Sequence, residues 1–243
     1  MIKNIRDLIE NWPRCFIRDV DLVMLFKNKT NNARYSLVKR AVQEGLLTRV
    51  RRGLYLIMRK TEPLFIEQFE LASLIYGPSF TSLESALSYY GWIPEGVYTT
   101  TCVSIKRAKE FKTSFGVFSY KRVPEEQFYT GVTRIENTRI ENTRIGTKNT
   151  VFFVATPWRA IADLIYIRRK YWKHECSTRE CSTRECWKSL EELGGDLRID
   201  RETFLNSDKE MLKLLAESYP SYHVCKILKR FLKEITNVLK VYK

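Results

Sequence analysis

The residues of this chain most suited to a defined chemical task are the lysines and arginines near its N-terminus. The 243-residue chain has a formal net charge of +14, from 42 basic and 28 acidic residues. Residues 27–60 contain ten of the bases and a single acid, Glu44. Bases at this density neutralise phosphates and release their counterions. The composition therefore favours a polyanion partner, either a nucleic acid or an acidic membrane surface, over a protein that is merely basic.

Polar side chains interleaved with these bases are of the types that read nucleic-acid bases. An asparagine amide can bond adenine at two points, and tyrosine, serine and lysine contact bases or phosphates. Arginines in a turn after the helix would hold the backbone or enter the minor groove. The candidate DNA-binding residues are Lys29, Asn31, Asn32, Tyr35, Ser36, Lys39, Arg49, Arg51 and Arg52.

A winged helix-turn-helix would position these side chains. Thr30 or the residue after it can cap the central helix, and Gly45 is typical of the position after a helix end. The apolar stretches Leu46–Val50 and Leu54–Met58 flank Arg51-Arg52-Gly53, which predicts strand, basic turn and strand. The N-terminal half of the central helix would then enter the major groove.

Two shorter helices are expected before the central one. The first ends at Trp12-Pro13, and a polar turn at Lys27–Lys29 follows the second. Arg34 projects onto the apolar side of the central helix, so we expect it to pack or pair there rather than read a base. The apolar positions of the two helices are Ile2, Ile5, Leu8 and Ile9, and then Val20, Val23, Met24 and Phe26.

The rest of the chain predicts a larger domain, so that residues 1–60 and 63–243 form two domains of an α+β protein. Stretches rich in valine, threonine, phenylalanine and tyrosine predict strands of one sheet at Val97–Ile105, Gly116–Arg122 and Thr150–Ala155. Helices are expected at Leu64–Tyr76, at Ser82–Tyr90 with Ser82, Glu84 and Ser88 exposed, at Pro157–Tyr171, and near 187–194, 207–219 and 221–240.

Catalytic and metal-binding patterns are weak. Glu110 and Lys112 have the E-x-K spacing of a metal-dependent nuclease, but the second acid that this site needs is not evident. Cys176, Cys181 and Cys186 face three directions on a helix, although a loop could bring them together beside His174. We therefore predict no catalytic residue, no metal and no cofactor, and keep the nuclease as an alternative.

Two tandem repeats interrupt the larger domain. Thr133–Asn137 and Thr138–Asn142 are identical, as are Cys176–Glu180 and Cys181–Glu185. A five-residue period matches neither a helix nor a strand. We expect both repeats in connections between elements, where short duplications are tolerated.

The cysteines and the apolar runs bear on the compartment. None of the six cysteines forms a C-x-x-C pair, which fits a reducing cytosol. No secretory leader is expected, because charged residues interrupt the start, and no apolar run reaches the roughly 20 residues that span a bilayer. The predicted location is the cytoplasm, without membrane contact.

Three segments of the sequence together resemble the AbiEi family of bacterial antitoxins. They are the stretch TNNARYSLVKRAVQEGLLTRVRRGLYLI at 30–57, SFTSLESALSYYGWIPEGVYTTTCVS at 79–104 and VFFVATPWRAIADLIYIRRKYW at 151–172. The third contains an A-x-P-x-x-A-x-x-D-L pattern at Ala155–Leu164, and the final 70 residues match no motif. The resemblance thus extends over most of the chain up to residue 172.

The resemblance implies an antitoxin that represses its own operon by binding inverted repeats in double-stranded DNA. It also implies a partner toxin of the AbiEii nucleotidyltransferase family, which is neutralised without a stable complex. A homodimer on DNA would match the repeated half-sites. The alternative is a plain dimeric transcriptional regulator with no toxin partner.

Overall fold

The computed structural model describes residues 5–6, 12–58, 67–139, 148–175 and 187–241. Helices and strands alternate irregularly in a mixed α+β fold, as predicted. In chain order the elements are β1 (Phe16–Arg18), α1 (Asp19–Leu25), α2 (Asn31–Gln43), β2 (Leu47–Arg51), β3 (Leu54–Ile57), α3 (Gln68–Ile75), β4 (Ser79–Thr81), α4 (Leu83–Tyr89), β5 (Thr99–Ser104), β6 (Lys109–Thr113), β7 (Gly116–Arg122), β8 (Val132–Arg139), β9 (Lys148–Ala155), α5 (Pro157–Glu175), α6 (Leu190–Leu197), α7 (Arg201–Leu205), α8 (Lys209–Ser218) and α9 (Tyr222–Val241).

The N-terminal sheet is small and antiparallel, with the strand order β1-β3-β2. The chain leaves β1 through α1 and α2 and returns in the β2–β3 hairpin. Residues 5 and 6 are helical, and the rest of the predicted first helix lies outside the described residues. One apolar cluster joins the helices to the sheet: Ile5, Ile17, Leu22, Phe26, Val38, Ala41, Leu47, Tyr55 and Ile57.

The central helix and the hairpin of this region agree with the sequence pattern. Thr30 caps α2, since its hydroxyl accepts a hydrogen bond from the Ala33 amide at 3.3 Å. Gly45 follows the helix with a φ of +70°, a left-handed conformation that glycine adopts without strain. The two predicted strands form β2 and β3.

The prediction for α1 is right for the helix and wrong for its buried face. Leu22 is the residue of α1 that is buried, and Phe26 is buried just beyond the helix end. Val20, Val23 and Met24 are 56%, 47% and 70% exposed. With five apolar residues in seven, a helix offers more than one apolar face, and only the position of the sheet selects between them.

The larger sheet has six strands in the order β6-β7-β5-β4-β9-β8. Its strands β5, β7 and β9 are the three that the sequence predicts. The sequence reading missed β4, β6 and β8, as well as β1 in the small sheet. β1 and β4 have three residues each, too few for a periodic signal, and the residues of β6 and β8 are mostly charged or polar.

Ser82 is a correction to the predicted exposed edge of α4. The helix itself is present, but Ser82 has no exposed surface and lies at the N-terminal end of the helix. Ser85 is also buried, and its hydroxyl accepts a hydrogen bond from the Thr101 amide at 2.8 Å. The start of α4 is therefore bonded to β5 rather than to water.

The repeat at residues 133–142 is a second correction. Its first unit, Thr133–Asn137, lies within β8, and Thr138 continues the strand opposite Asn149 of β9. Polar side chains without an apolar alternation concealed the strand, because the pairing with β9 is a long-range contact. Residues 140–142 lie outside the described part of the chain, as does the second repeat at 176–185.

The N-terminal sheet is packed onto the larger sheet through a shared apolar cluster. Leu54 and Leu56 of β3 are fully buried in this cluster, which also includes Phe118 and Tyr120 of β7. The Tyr120 hydroxyl donates to the carbonyl of Ala72 in α3 at 2.7 Å. The remaining members are Phe16, Val50, Leu71, Ala72, Ile75 and Cys102. Burial raises the pKa of the Cys102 thiol to about 12.

A buried carboxylate, Asp163 of α5, joins the helices around the larger sheet. It has no exposed surface and accepts three hydrogen bonds. The donors are the Ser82 hydroxyl at 2.8 Å, the Arg159 Nε at 3.0 Å and the Tyr219 hydroxyl at 2.9 Å. Ser82 begins α4 and Tyr219 follows α8, so one side chain fixes the ends of two helices against α5.

Arg159 extends this network into the segment between β7 and β8. Its Nη1 donates to the carbonyls of Gln127 at 3.0 Å and Thr130 at 2.7 Å. The guanidinium lies 5.3 Å from the ring centroids of both Phe80 and Tyr219. The charge is thus bonded or stacked on several sides, as a buried arginine requires.

We predict that Asp163→Ala lowers the free energy of unfolding by about 3–5 kcal/mol, because it leaves Arg159 buried without its counter-charge. Chemical unfolding of the full-length chain measures this value. Glu95→Ala is the matched control, since Glu95 pairs at 3.0 Å with Arg198 on the surface and should contribute less than about 1 kcal/mol. Equal losses in the two variants would contradict the role given to Asp163.

Candidate nucleic-acid interface

The outward face of α2 presents most of the candidate base-reading side chains. Asn32, Ser36 and Lys39 are exposed, and Tyr35 is 54% exposed although it is aromatic. The opposite face is anchored by Val38 and Ala41, which are buried in the N-terminal core. The helix therefore lies on the surface with one polar face free for a partner.

Arg34 fixes the turn that leads into α2. Its Nη1 donates to the carbonyl of Lys29 at 2.6 Å and to that of Phe26 at 3.4 Å. Its Nη2 donates to the side-chain oxygen of Asn31. This placement agrees with the expectation that Arg34 does not read bases. It also means that the side-chain oxygen of Asn31, a candidate DNA contact, is already bonded within the protein.

The arginines of the β2–β3 hairpin divide into two kinds. Arg49 and Arg52 are exposed, whereas Arg51 is half-buried and its Nη1 donates to the Arg52 carbonyl at 2.8 Å. A register shift between Arg49 and Arg51 gives the strand a bulge before the turn. Arg51 therefore stabilises the turn, while Arg49 and Arg52 extend towards solvent.

The turn of the hairpin is held close to the start of α1. The Asp19 amide donates to the Gly53 carbonyl at 3.1 Å. A Cβ atom at Gly53, whose φ is +79°, would lie 2.9 Å from the Asp19 carboxylate. Glycine adopts this left-handed backbone conformation without strain, and the bond from the Asp19 amide holds the turn against the start of α1.

Tyr55 of β3 is buried in the N-terminal core, directly opposite Arg49 of β2. Burial raises the pKa of its phenol, and the Asp19 charge raises it further, while Arg49 acts in the opposite direction. Tyr35 also contributes to the electrostatic environment of Tyr55. Tyr55 shares its core cluster with Val38 and Ala41 of α2, so the helix is packed against the hairpin, which carries Arg49 directly opposite Tyr55.

Two acids of this region, Glu44 and Asp21, are ion-paired with arginines. Glu44 forms an ion pair with Arg6 at 2.9 Å, and Asp21 forms one with Arg18 at 3.1 Å. Burial acts to raise the pKa of Asp21, but the bonds from Arg18 outweigh it and the pKa is lowered. The ion pairs neutralise these two acids, so the positive charge of the exposed bases on α2 and the hairpin dominates.

The E-x-K pair lies on an exposed strand. Glu110 and Lys112 lie on β6 at the edge of the sheet, both exposed, with a carboxylate–ammonium distance of 3.9 Å. Within the described ranges, no three histidine, cysteine, aspartate or glutamate side chains are grouped to hold a metal. Cys176, Cys181 and Cys186 lie outside those ranges.

No helix in the described part of the chain is long and apolar enough to cross a bilayer.

Comparison with models of known protein families gives no match, and a search of curated proteins finds no similar sequence.

We predict that Arg34→Met lowers the free energy of unfolding by about 1 kcal/mol, because three oxygen atoms lose a charged donor. Lys39→Met is the control, since an exposed lysine on the outward face of α2 should change stability by less than about 0.5 kcal/mol. Thermal and urea unfolding measure both variants. An Arg34 variant as stable as the Lys39 variant would contradict this role for Arg34.

Proposed function

We propose that residues 1–60 form a winged helix-turn-helix that binds duplex DNA with some sequence specificity. The observation that carries this proposal is the exposed polar face of α2 beside the exposed arginines of the β2–β3 hairpin, two elements that are packed on one core. The element order from β1 to β3 and the β1-β3-β2 sheet are those expected of a winged helix. In this proposal α2 is the recognition helix and the hairpin is the wing.

Each exposed side chain then has a distinct task. Asn32 and Tyr35, near the N-terminal end of α2, would contact base edges in the major groove, and Ser36 and Lys39 would contact bases or phosphates. Arg49 and Arg52 would contact phosphates beside the groove or enter the minor groove. Lys29 precedes α2, where the helix dipole also favours a phosphate.

We further propose that the protein is an antitoxin that represses its own operon and counteracts a nucleotidyltransferase toxin. This rests on the resemblance to the AbiEi family. The second and third resembling segments meet in the fold, since Ser82 of one bonds Asp163 of the other. Residues 63–243 form most of the chain and exceed what DNA binding requires, so a second task is expected of them.

A plain dimeric transcriptional regulator is the second candidate. The exposed Val20, Val23 and Met24 of α1 favour it, because apolar side chains grouped on a surface helix are typical of an interface. Such a dimer would read two half-sites of an inverted repeat, spaced by about one helical turn of DNA.

We predict that Asn32→Ala and Tyr35→Ala weaken binding to the protein's own promoter by about 1–3 kcal/mol more than binding to a scrambled duplex. Arg52→Ala should weaken both alike and reduce the slope of log affinity against log salt by about 1. Fluorescence anisotropy at several salt concentrations measures these effects. The controls are Asn206→Ala, Tyr98→Ala and Arg201→Ala, which change the same residue types at exposed positions of the larger domain. Equal losses on both duplexes in all three test variants would mean that α2 is not the recognition helix.

The antitoxin activity is tested with the full chain, because removing the N-terminal sheet would uncover apolar residues of α3 and β7. We predict that a variant with Asn32→Ala, Tyr35→Ala and Arg52→Ala no longer represses the promoter but still protects cells from a nucleotidyltransferase toxin encoded beside it. Both proteins are expressed from unrelated promoters, and colony survival is measured. Failure of the wild type to protect, or the absence of such a gene, would favour the plain regulator.

A further inference from the structure

The last helix, α9, carries a stripe of bases on its outer side. Lys229, Lys233 and Lys240 are exposed and separated by four and seven residues, which keeps them within about 40° of one another around the helix. None of these three ammonium groups has a carboxylate partner in the part of the chain that the structure describes. Five bases and one acid, Glu234, occur in the whole helix.

The opposite side of α9 is fixed in the core. Five apolar residues of the helix are no more than 1% exposed, so its rotation is determined and the bases must face outward. The carboxylate of Glu234 is directed towards α6 rather than towards these lysines. It accepts a hydrogen bond from the Leu190 amide at the start of α6, at 2.9 Å. The buried residues are Val224, Ile227, Leu228, Phe231 and Ile235.

An anionic membrane and a nucleic-acid backbone are the two partners that such a stripe of bases could bind, and the packing of α9 favours the nucleic acid. A helix that binds an anionic membrane inserts its apolar side into the lipid, but the apolar side of α9 is occupied by the protein core. A nucleic-acid backbone requires only the exposed bases. The axial distance from Lys229 to Lys240 is about 16 Å at 1.5 Å per residue, which exceeds the roughly 12 Å width of the major groove.

We infer that α9 is a second nucleic-acid contact, which binds phosphates of duplex DNA through Lys229, Lys233 and Lys240 without reading sequence. This inference rests on the proposed DNA-binding function and adds a contact outside residues 1–60. Lysines at these positions act as point charges on a flexible stem, so they fit a phosphate backbone of any sequence.

The experiment compares two double variants of the full chain. Lys229→Gln with Lys233→Gln removes two bases of the stripe. Lys209→Gln with Lys213→Gln removes two exposed lysines at the same spacing on α8, where Glu210 and Glu217 accompany them. Both variants change the net charge equally, so any difference between them reports the location of the charge. Thermal unfolding establishes that both are folded.

Anisotropy titrations with a long promoter duplex and a long scrambled duplex give the result. The α9 variant should reduce the slope of log affinity against log salt by about 2 on both duplexes. Between 50 and 200 mM salt, the wild type should then lose about tenfold more affinity than this variant. Lys229→Arg with Lys233→Arg should restore the wild-type slope, and the α8 variant should keep it.

Three outcomes would overturn the inference. If the α9 and α8 variants behave alike while Asn32→Ala still loses promoter selectivity, α9 is not a DNA contact and the proposed function stands. If the wild type binds neither duplex, the proposed function fails together with the inference. Equally strong binding to phosphatidylserine vesicles, lost in the same α9 variant, would assign the stripe to a membrane.

Discussion

Removing a carboxylate from water costs several kcal/mol unless its oxygens are fully bonded, and Asp163 has no exposed surface. Its two oxygens accept bonds from Ser82 at the start of α4, from Tyr219 just after α8 and from Arg159 one turn earlier in α5. Arg159 carries the network to backbone carbonyls between β7 and β8. Every member constrains the others, because moving one would leave a buried charge or hydroxyl without a partner. The arrangement of helices around the larger sheet depends on this contact.

The second constraint is the apolar cluster shared by the N-terminal sheet and the larger sheet. Leu54 and Leu56 could not be exposed without loss of about 1.5–3 kcal/mol each, so β3 is held against the larger sheet rather than carried on a free linker. The β2–β3 hairpin and α2 are consequently presented from a fixed base. A fixed base suits the proposed DNA contact, since its side chains need little ordering when the partner binds.

The surface charge of the N-terminal region is predominantly positive. Glu44 and Asp21 of the N-terminal region are paired with Arg6 and Arg18, while the exposed bases of α2, the hairpin and α9 keep their positive charge on the surface. Ion pairs at exposed positions contribute little to stability. The larger effect of these ion pairs is on the electrostatic potential of the surface. Once an acid is neutralised, the neighbouring bases determine the local potential.

The sequence by itself determined the elements whose signals are local. The capped and glycine-terminated α2, the Arg-Arg-Gly hairpin and the strands β5, β7 and β9 follow from capping, turn chemistry and β-branched residues near one another in the chain. The outward positions of Asn32, Tyr35 and Lys39 follow from the same helical period. Only the tertiary structure decided which face of α1 is buried, that Ser82 is a buried donor and that Thr133–Asn137 is a strand. Each of these depends on a partner distant in sequence, namely the small sheet, Asp163 and β9, and no short-range pattern encodes a long-range contact.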